Sequence, residues 1–216
     1  MPSKNTQRND ISNGFYHIYG RGAARRLIFI DDNDRQFFTD LLVRYLGGKT
    51  LYDGNNNPYP SFKDEVELMV YCLMGTHFHL LLRQETEGRI SVFMKSLIGS
   101  YTMYFNRKYQ SSGALLESRF RASLITNELY LVHLTRYIHF NPKNYESYEW
   151  SSIKYYFGEP EPDWLKVSEL VGIANLSPEY YRELMDEFKE DQEIIKSISL
   201  ADNGISLIEK EAEKPF

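Results

Sequence analysis

The side chains best suited to chemistry in this sequence are two histidines, His77 and His79, which stand on either side of Phe78 in an apolar stretch. That stretch is predicted to be a strand, in which successive side chains alternate between faces. The two imidazoles then point the same way, roughly 7 Å apart at Cβ, and can converge on one divalent ion. A His-x-His pair also occurs among histidines that only complete a surface or a core, so the pair alone leaves both interpretations open.

A second group of polar side chains falls on a helix predicted over about 128–141, which Asn127 can cap and Pro142 ends. Tyr137 and Asn141 are one turn apart and share a face of this helix. A structural interpretation stands beside a chemical one, with Tyr137 packed at the edge of the core and Asn141 acting as a helix cap. The adjacent apolar stripe, which we expect to pack on a sheet, consists of Leu131, Leu134 and Ile138.

The elements that must position these residues follow from hydrophobic periodicity. The predicted strands cover residues 14–20, 66–83 and 120–126, and the predicted helices cover 33–46, 89–108 and 128–141. The stretch 66–83 fits two consecutive strands, or one strand kinked at Gly75 and Thr76. The order β-α-β-β-α-β-α predicts an α+β protein close to a ferredoxin-like sandwich, in which an antiparallel sheet carries helices on one or both faces.

Charge is divided unevenly along the chain. Residues 1–150 contain 18 basic and 15 acidic side chains, whereas residues 151–216 contain 7 and 15. The net charge of −5 therefore belongs to the C-terminal part and does not exclude nucleic acid as a partner. We predict a main domain over 1–155 and a small, acidic, mostly helical extension over 156–216, with two or three short helices between 165 and 200 and a frayed end over the last fifteen residues.

Composition excludes several other classes of protein. The single cysteine, Cys72, rules out an intramolecular disulfide and a multi-cysteine zinc site. No run reaches the ~20 apolar residues of a membrane helix. The polar start of the chain, MPSKNTQRND, lacks the apolar segment of a signal peptide. These features predict a cytoplasmic protein with no membrane partner.

Five motifs follow one another along the first two thirds of the chain. They are YHIYGRG at 16–22, YCLMGTHFHLLL at 71–82, SYTMYFNRKY at 100–109, GALLESRFRASLI at 113–125 and LTRYIHFNP at 134–142, with a closing YEWSS at 148–152. In this order and spacing they closely resemble the single-tyrosine HUH transposases of bacterial insertion sequences, especially the REP-associated tyrosine transposase branch. The resemblance covers residues 12–152 and makes the domain over 1–155 similar to the catalytic domain of that family.

The resemblance implies a role for each of four residues. His77 and His79 resemble the HUH metal motif, Tyr137 occupies the position of the nucleophilic tyrosine, and Asn141 that of a further metal ligand. The implied activity is metal-dependent nicking and joining of single-stranded DNA, through a covalent 5′-phosphotyrosine that leaves a free 3′-OH, on hairpin-bearing DNA. Relatives commonly have Pro-Asn before the first histidine, where this chain has Gly75-Thr76.

The chemistry of these side chains agrees with those implied roles. Two imidazoles and one amide leave positions on a Mg²⁺ or Mn²⁺ ion open for phosphate oxygens, and such an ion polarises the scissile phosphate. A free tyrosine, with a pKa of about 10, needs help from its site to act as a nucleophile. A phosphotyrosine conserves the energy of the phosphodiester, which permits rejoining without ATP.

Basic residues beside aromatic ones fit single-stranded DNA, through phosphate pairing and base stacking. Arg119 and Arg121 flank Phe120, so we expect them to share one face of a strand. The predicted DNA-binding residues are Arg21, Arg25, Arg26, Arg119 and Arg121. The histidines predicted to be structural are His17, His133 and His139.

Two other functions stay open. A domesticated member of the same fold could bind hairpin DNA without cutting it, and the Gly75-Thr76 departure is the support for that alternative. A metal-dependent hydrolase of a small molecule could also use a His-x-His strand. Such an enzyme needs more histidine or carboxylate ligands on other strands, where only His17 is offered. Members of the resembled family act as monomers or dimers, so a homodimer is possible.

Overall fold

A computed structural model describes residues 10–201, in which a four-stranded sheet forms the centre of the molecule. The strands are β1 (Phe15–Arg21), β2 (Val66–Met74), β3 (His77–Gln84) and β4 (Arg121–Ile125). Their order across the sheet is β2-β3-β1-β4, and every neighbouring pair is antiparallel. The predicted α+β class with an antiparallel sheet is confirmed, and the stretch 66–83 forms two strands rather than one.

Six α-helices accompany the sheet in the described part of the chain. They are α1 (Asp32–Leu46), α2 (Arg89–Lys108), α3 (Glu128–His139), α4 (Ile153–Tyr156), α5 (Val167–Ile173) and α6 (Pro178–Ala201). No helix among residues 10–201 is long and apolar enough to cross a membrane.

Local sequence explains where the main helices begin. The carboxylate of Asp31 accepts a hydrogen bond from the backbone N–H of Asp34, and the carboxylate of Asp34 accepts one from the backbone N–H of Asp31, which forms a capping box. The side chain of Asn127 caps α3 by accepting from the N–H of Leu129. Ser177 caps α6 in the same way, with Pro178 as its first residue.

The two faces of the sheet carry different side chains because strand residues alternate. One face is apolar and packs against α1 and α2. For example, the ring of Phe38 on α1 lies 5.4 Å from the ring of Phe78 on β3. The other face carries His17 and His79 and is partly covered by α3, which contacts β2, β3 and β4. The predicted apolar stripe of α3 is confirmed, since Leu131, Leu134 and Ile138 are all buried.

The C-terminal elements share the hydrophobic core of the sheet. Leu165, Leu170, Tyr181 and Met185 belong to the same buried cluster as the strand residues. Helix α6 spans 24 residues, so the expectation of two or three short helices in this region is wrong in length. The division of the chain at residues 155 and 156 stays a prediction, and the predicted frayed end, residues 202–216, lies outside the described residues.

Candidate active site

The hairpin between β2 and β3 places His77 and His79 at the start of β3, with their ring centroids 5.1 Å apart. Its turn, Gly75-Thr76, is tied to the segment that follows β1. The backbone N–H groups of Ile28 and Phe29 donate to the carbonyl of Gly75 (2.8 and 3.0 Å). The N–H of Gly22 donates to the carbonyl of Thr76 (2.8 Å). The turn that departs from the pattern of the resembled family is thus firmly anchored.

Asn141 joins α3 to the histidines. Its Nδ2 donates to the carbonyl of Tyr137 (2.9 Å), while its Oδ1 lies 3.4 Å from Nε2 of His77. The helix ends at His139, two residues before the predicted end, so Asn141 lies just beyond it. The same amide therefore caps the helix with its nitrogen and turns its oxygen towards the site, which combines the two interpretations open from sequence.

The ring of Tyr137 lies beside the histidines, half-buried at the end of α3. Its centroid is 5.8 Å from that of His79 and 6.4 Å from that of His17, with the rings nearly perpendicular in both pairs. The structure thus brings together four residues that sequence analysis singled out: His77, His79, Tyr137 and Asn141.

His17 is the site residue that sequence analysis missed, because it was predicted to be structural. Its Nε2 lies within hydrogen-bond distance of Nδ1 of His79 (2.9 Å), and the two rings stack at 5.1 Å. The ring of Tyr19 also stacks on His17, with the ring centroids 5.1 Å apart. The signal was the pairing of β1 with β3, which sets Tyr19 opposite His79 and Arg21 opposite His77. Period-two alternation then puts His17 on the same face.

Burial keeps these imidazoles neutral. It lowers the pKa of His17 to about 4 and is the largest cause of a lowered pKa for His77. The pKa of His79 is lowered well below its usual value, first by burial and then by the neighbouring charges. A neutral imidazole has one nitrogen with a free lone pair, so at neutral pH these rings can act as metal ligands.

The side chains present fit a divalent cation. Nε2 of His77 and Oδ1 of Asn141 are 3.4 Å apart, and His79 adds a second imidazole beside them. Nitrogen and amide oxygen donors with room for further oxygens suit Mn²⁺ or Mg²⁺. Within residues 10–201 no group of three or more His, Cys, Asp or Glu side chains is placed to hold a metal ion, so the amide of Asn141 is needed to complete a set of three.

Two of the predicted DNA-binding arginines border this site. Arg21 is exposed at the end of β1, opposite His77 in the sheet. Arg121, at the start of β4, is exposed and has its guanidinium 5.8 Å above the ring of Tyr19. Its closest acidic neighbour is Glu117, at 3.9 Å.

The other three predicted arginines lie in the segments that follow β1 and precede β4. Arg26 is anchored, because its Nη2 donates to the carbonyl of Ala114 (3.0 Å) and its guanidinium packs on Phe105. Arg25 is exposed in a short turn with a left-handed backbone (φ 59°). Arg119 is exposed in the loop before β4, so the expectation that it shares a strand face with Arg121 is wrong, because the strand begins only at Arg121.

Comparison with known proteins relates this arrangement to one family. Residues 61–141, which include His77, His79, Tyr137 and Asn141, match the family model described as "Transposase IS200 like". The comparison with curated proteins gave no match.

Two solved structures align with this chain. One is described as "Structure of the REP associates tyrosine transposase bound to a REP hairpin"; it aligns with 74% of this chain and 90% of its own, with a TM-score of 0.52 and 15% identity. The other, a putative transposase from Deinococcus radiodurans R1, aligns with 64% of this chain and 95% of its own, with a TM-score of 0.36 and 16% identity. The first supports the fold described above, and the second is too distant to add to it.

Proposed function

Since residues 61–141 of this chain match the family model described as "Transposase IS200 like", we propose that the protein nicks and joins single-stranded DNA through a covalent bond to Tyr137. The observation that carries the proposal is the meeting of Tyr137 with two histidines and an amide on one face of the sheet, at the start of β3. The ring of Tyr137 lies 5.8 Å from that of His79, and Oδ1 of Asn141 lies 3.4 Å from Nε2 of His77.

Three side chains would hold the divalent cation, Mg²⁺ or Mn²⁺: His77, His79 and Asn141. Such a cation, when bound, stabilises the negative charge that develops on the scissile phosphate. The chain itself holds these donors in place through the turn at Gly75-Thr76 and through the amide of Asn141, which is anchored on the end of α3. Positioning of this kind lowers the barrier because the reacting groups need little rearrangement.

In the proposed step the phenolic oxygen of Tyr137 attacks the scissile phosphorus. A new P–O bond to the tyrosine forms, and the bond from phosphorus to the 3′ oxygen breaks. The phenol loses its proton and the departing 3′ oxygen gains one, so a 5′-phosphotyrosine and a free 3′-OH result. Attack by another 3′-OH on the phosphotyrosine reverses the exchange and joins DNA without a nucleotide cofactor.

The proposed substrate is single-stranded DNA that carries a hairpin. The structure described as a REP-associated tyrosine transposase is bound to a REP hairpin, and its fold is similar to that of this chain. Around the site, Tyr19 offers a ring for stacking, while Arg21 and Arg121 offer charges for phosphate. Action in the cytoplasm, as a monomer or a homodimer, is part of this proposal.

A covalent-adduct assay tests the proposal. The full chain is mixed with labelled hairpin oligonucleotides from the flanks of its own gene, with Mn²⁺ or with EDTA, and denaturing gels reveal any protein–DNA band. We expect a band that needs Mn²⁺ and disappears in Tyr137→Phe. Tyr130→Phe is the matched control, because Tyr130 lies on the same helix and is exposed.

Three other results would count against the proposal. A band that survives Tyr137→Phe would move the nucleophile to another residue. Hairpin binding with no band at any metal concentration would favour a protein that binds DNA without cutting it. Failure to bind or cut across many oligonucleotides would favour a hydrolase of small molecules.

A further inference from the structure

Each of the two site histidines has one ring nitrogen beside a neighbouring polar side chain. Nδ1 of His77 lies 2.9 Å from Oγ1 of Thr76, and Nδ1 of His79 lies 2.9 Å from Nε2 of His17. Since Nδ1 is engaged in both rings, Nε2 is the nitrogen that remains for a ligand. In His77 that atom lies 3.4 Å from Oδ1 of Asn141.

We infer that His17 and Thr76 are positioning residues, which fix the rings of His79 and His77 so that both offer Nε2 to a divalent cation. The inference rests on the proposed function, because it concerns the same site. In metal sites generally, a histidine ligand is oriented by a hydrogen bond from its other ring nitrogen, and that bond selects the tautomer able to bind.

His17 is well placed for this task because it lies on a central strand of the sheet. It is 9% exposed, and the ring of Tyr19 stacks against it at 5.1 Å, so few other orientations are open to its imidazole. Its Nε2 faces Nδ1 of His79, and within residues 10–201 no three His, Cys, Asp or Glu side chains are arranged around a common ion.

Thr76 and His17 can each keep their hydrogen bond to the histidine when a cation binds at the site. If Nε2 of His77 or His79 held a cation, the single proton of the neutral ring would lie on Nδ1. Nδ1 then becomes a donor. The hydroxyl of Thr76 and the neutral imidazole of His17 can each donate or accept, so either bond persists through this change.

Thr76 contacts the site through both its side chain and its backbone. Its hydroxyl contacts the ring of His77, while its carbonyl accepts from the N–H of Gly22 (2.8 Å). A residue that departs from the family pattern thus supplies an orienting contact of its own in this chain.

The test measures Mn²⁺ affinity by electron paramagnetic resonance, which counts the free ion, on the full chain without DNA. His17→Phe keeps an aromatic ring at this position but removes both nitrogens, and we expect it to weaken Mn²⁺ binding about 10–100-fold. His17→Gln restores an acceptor and should recover most of the loss. Thr76→Val should also weaken binding, and Thr76→Ser should restore it. His133→Phe makes the same chemical change at an exposed histidine and should leave the affinity unchanged.

The rate of adduct formation separates positioning from simple loss of structure. At saturating Mn²⁺, we expect the rate for His17→Phe to return to within a few-fold of the unmodified chain, with an unchanged melting temperature for His17→Gln. The inference is overturned if His17→Phe folds and binds Mn²⁺ as tightly as the unmodified chain. If instead the unmodified chain binds no Mn²⁺, or His77→Ala binds it equally well, the proposed function itself has failed.

Discussion

Asn141 shows how much of this site depends on the two ends of one amide. The nitrogen holds the last turn of α3 through the carbonyl of Tyr137, and the oxygen lies 3.4 Å from Nε2 of His77. The position of the proposed nucleophile and the completeness of the proposed metal set are therefore linked through a single side chain.

Two substitutions at this position separate its two roles. Asn141→Asp keeps an oxygen for the cation but loses the donor to Tyr137, so we expect Mn²⁺ binding to be retained and stability to fall by about 1 kcal/mol. Asn141→Leu removes both ends and should lose Mn²⁺ binding as well. Paramagnetic resonance of Mn²⁺ and urea unfolding check the two effects. Tight Mn²⁺ binding by Asn141→Leu would contradict its assignment as a ligand.

At the scale of residues, the sequence predicts local relationships better than distant ones. His77 and His79 are two residues apart, and Tyr137 and Asn141 four apart, so strand and helix periodicity place each pair correctly. His17 is 62 residues from His79, and their contact depends on which strands are neighbours. That pairing comes from the packing of the whole sheet, so the sequence alone predicts no more than a structural role for His17.

Helix α3, which carries Tyr137, is held from outside by the C-terminal elements. Nδ1 of His139 lies 2.7 Å from the hydroxyl of Tyr181 on α6, and its Nε2 lies 2.7 Å from Oγ of Ser152. The guanidinium of Arg136 lies 5.4 Å from the ring of Phe188. The helix is thus fixed between the sheet and α6, which limits the positions open to Tyr137.

The pH dependence of stability should report the burial of His139. Burial lowers its pKa to about 3 in the folded chain, below the usual value of 6.5. Between these two values the unfolded chain binds more protons, so the stability due to neutral His139 is complete above about pH 6.5 and is lost as the pH falls towards 3, by about 1.4 kcal/mol per pH unit.

Urea unfolding of His139→Gln at pH values from about 4.5 to about 6, in steps of about 0.5, checks this expectation, because the linked proton uptake on unfolding falls in this range. The slope of unfolding free energy against pH should be smaller than in the unmodified chain by about 1.4 kcal/mol per pH unit, which corresponds to one proton fewer taken up on unfolding. Other buried histidines, His17 and His79, contribute to both slopes and cancel in the difference. His133→Gln, at an exposed position, should leave the slope unchanged. Equal slopes for His139→Gln and the unmodified chain would contradict the assignment.

At the scale of elements, the predicted strands and helices of residues 14–139 agree with the structure to within a few residues. Strong periodicity and local caps such as Asp31 and Asn127 explain this agreement. The end of α3 differs because Asn141 satisfies the last carbonyls from beyond the helix. The sequence predicts short helices where α6 is a single long one, because the buried stripe of Tyr181, Met185 and Phe188 is interspersed with many acidic residues.

At the scale of the whole molecule, the sheet carries the site, and the C-terminal helices complete the core of that sheet. Trp164, Leu165 and Leu170 are buried in the same cluster as the strands, and the N–H of Lys166 donates to the carbonyl of Leu68 on β2 (2.8 Å). The acidic part of the chain is therefore also a structural part.

Truncation after residue 155 tests that conclusion and the predicted boundary together. Removing the later residues exposes the apolar surface that Leu165, Leu170, Tyr181 and Met185 cover, so we expect the fragment to lose cooperative unfolding and to aggregate. Circular dichroism and calorimetry provide the measurement, with truncation after residue 201 as the control. A fragment 1–155 that melts cooperatively near the temperature of the full chain would show that the boundary defines an independent domain.

Charge at the site edge should govern DNA affinity although the chain is acidic overall. Arg21→Ala and Arg121→Ala should each weaken hairpin binding and reduce the slope of log affinity against log salt by about 0.7 per lost phosphate contact on single strands. Lys95→Ala, on the helix layer across the sheet, removes the same charge and should change neither quantity. Fluorescence anisotropy over a salt series measures both. Equal losses for all three variants would indicate nonspecific attraction rather than a site.

The most direct test of the account is to identify the atom that carries the DNA. The unmodified chain is allowed to react with a hairpin oligonucleotide and Mn²⁺, the adduct is trimmed with nuclease and protease, and the peptides are sequenced by mass spectrometry. The account predicts a nucleotide joined through its 5′-phosphate to Tyr137, in a peptide that also contains His139 and Asn141. A 5′-phosphate on any other residue, or a nucleotide attached through its 3′ end, would contradict it.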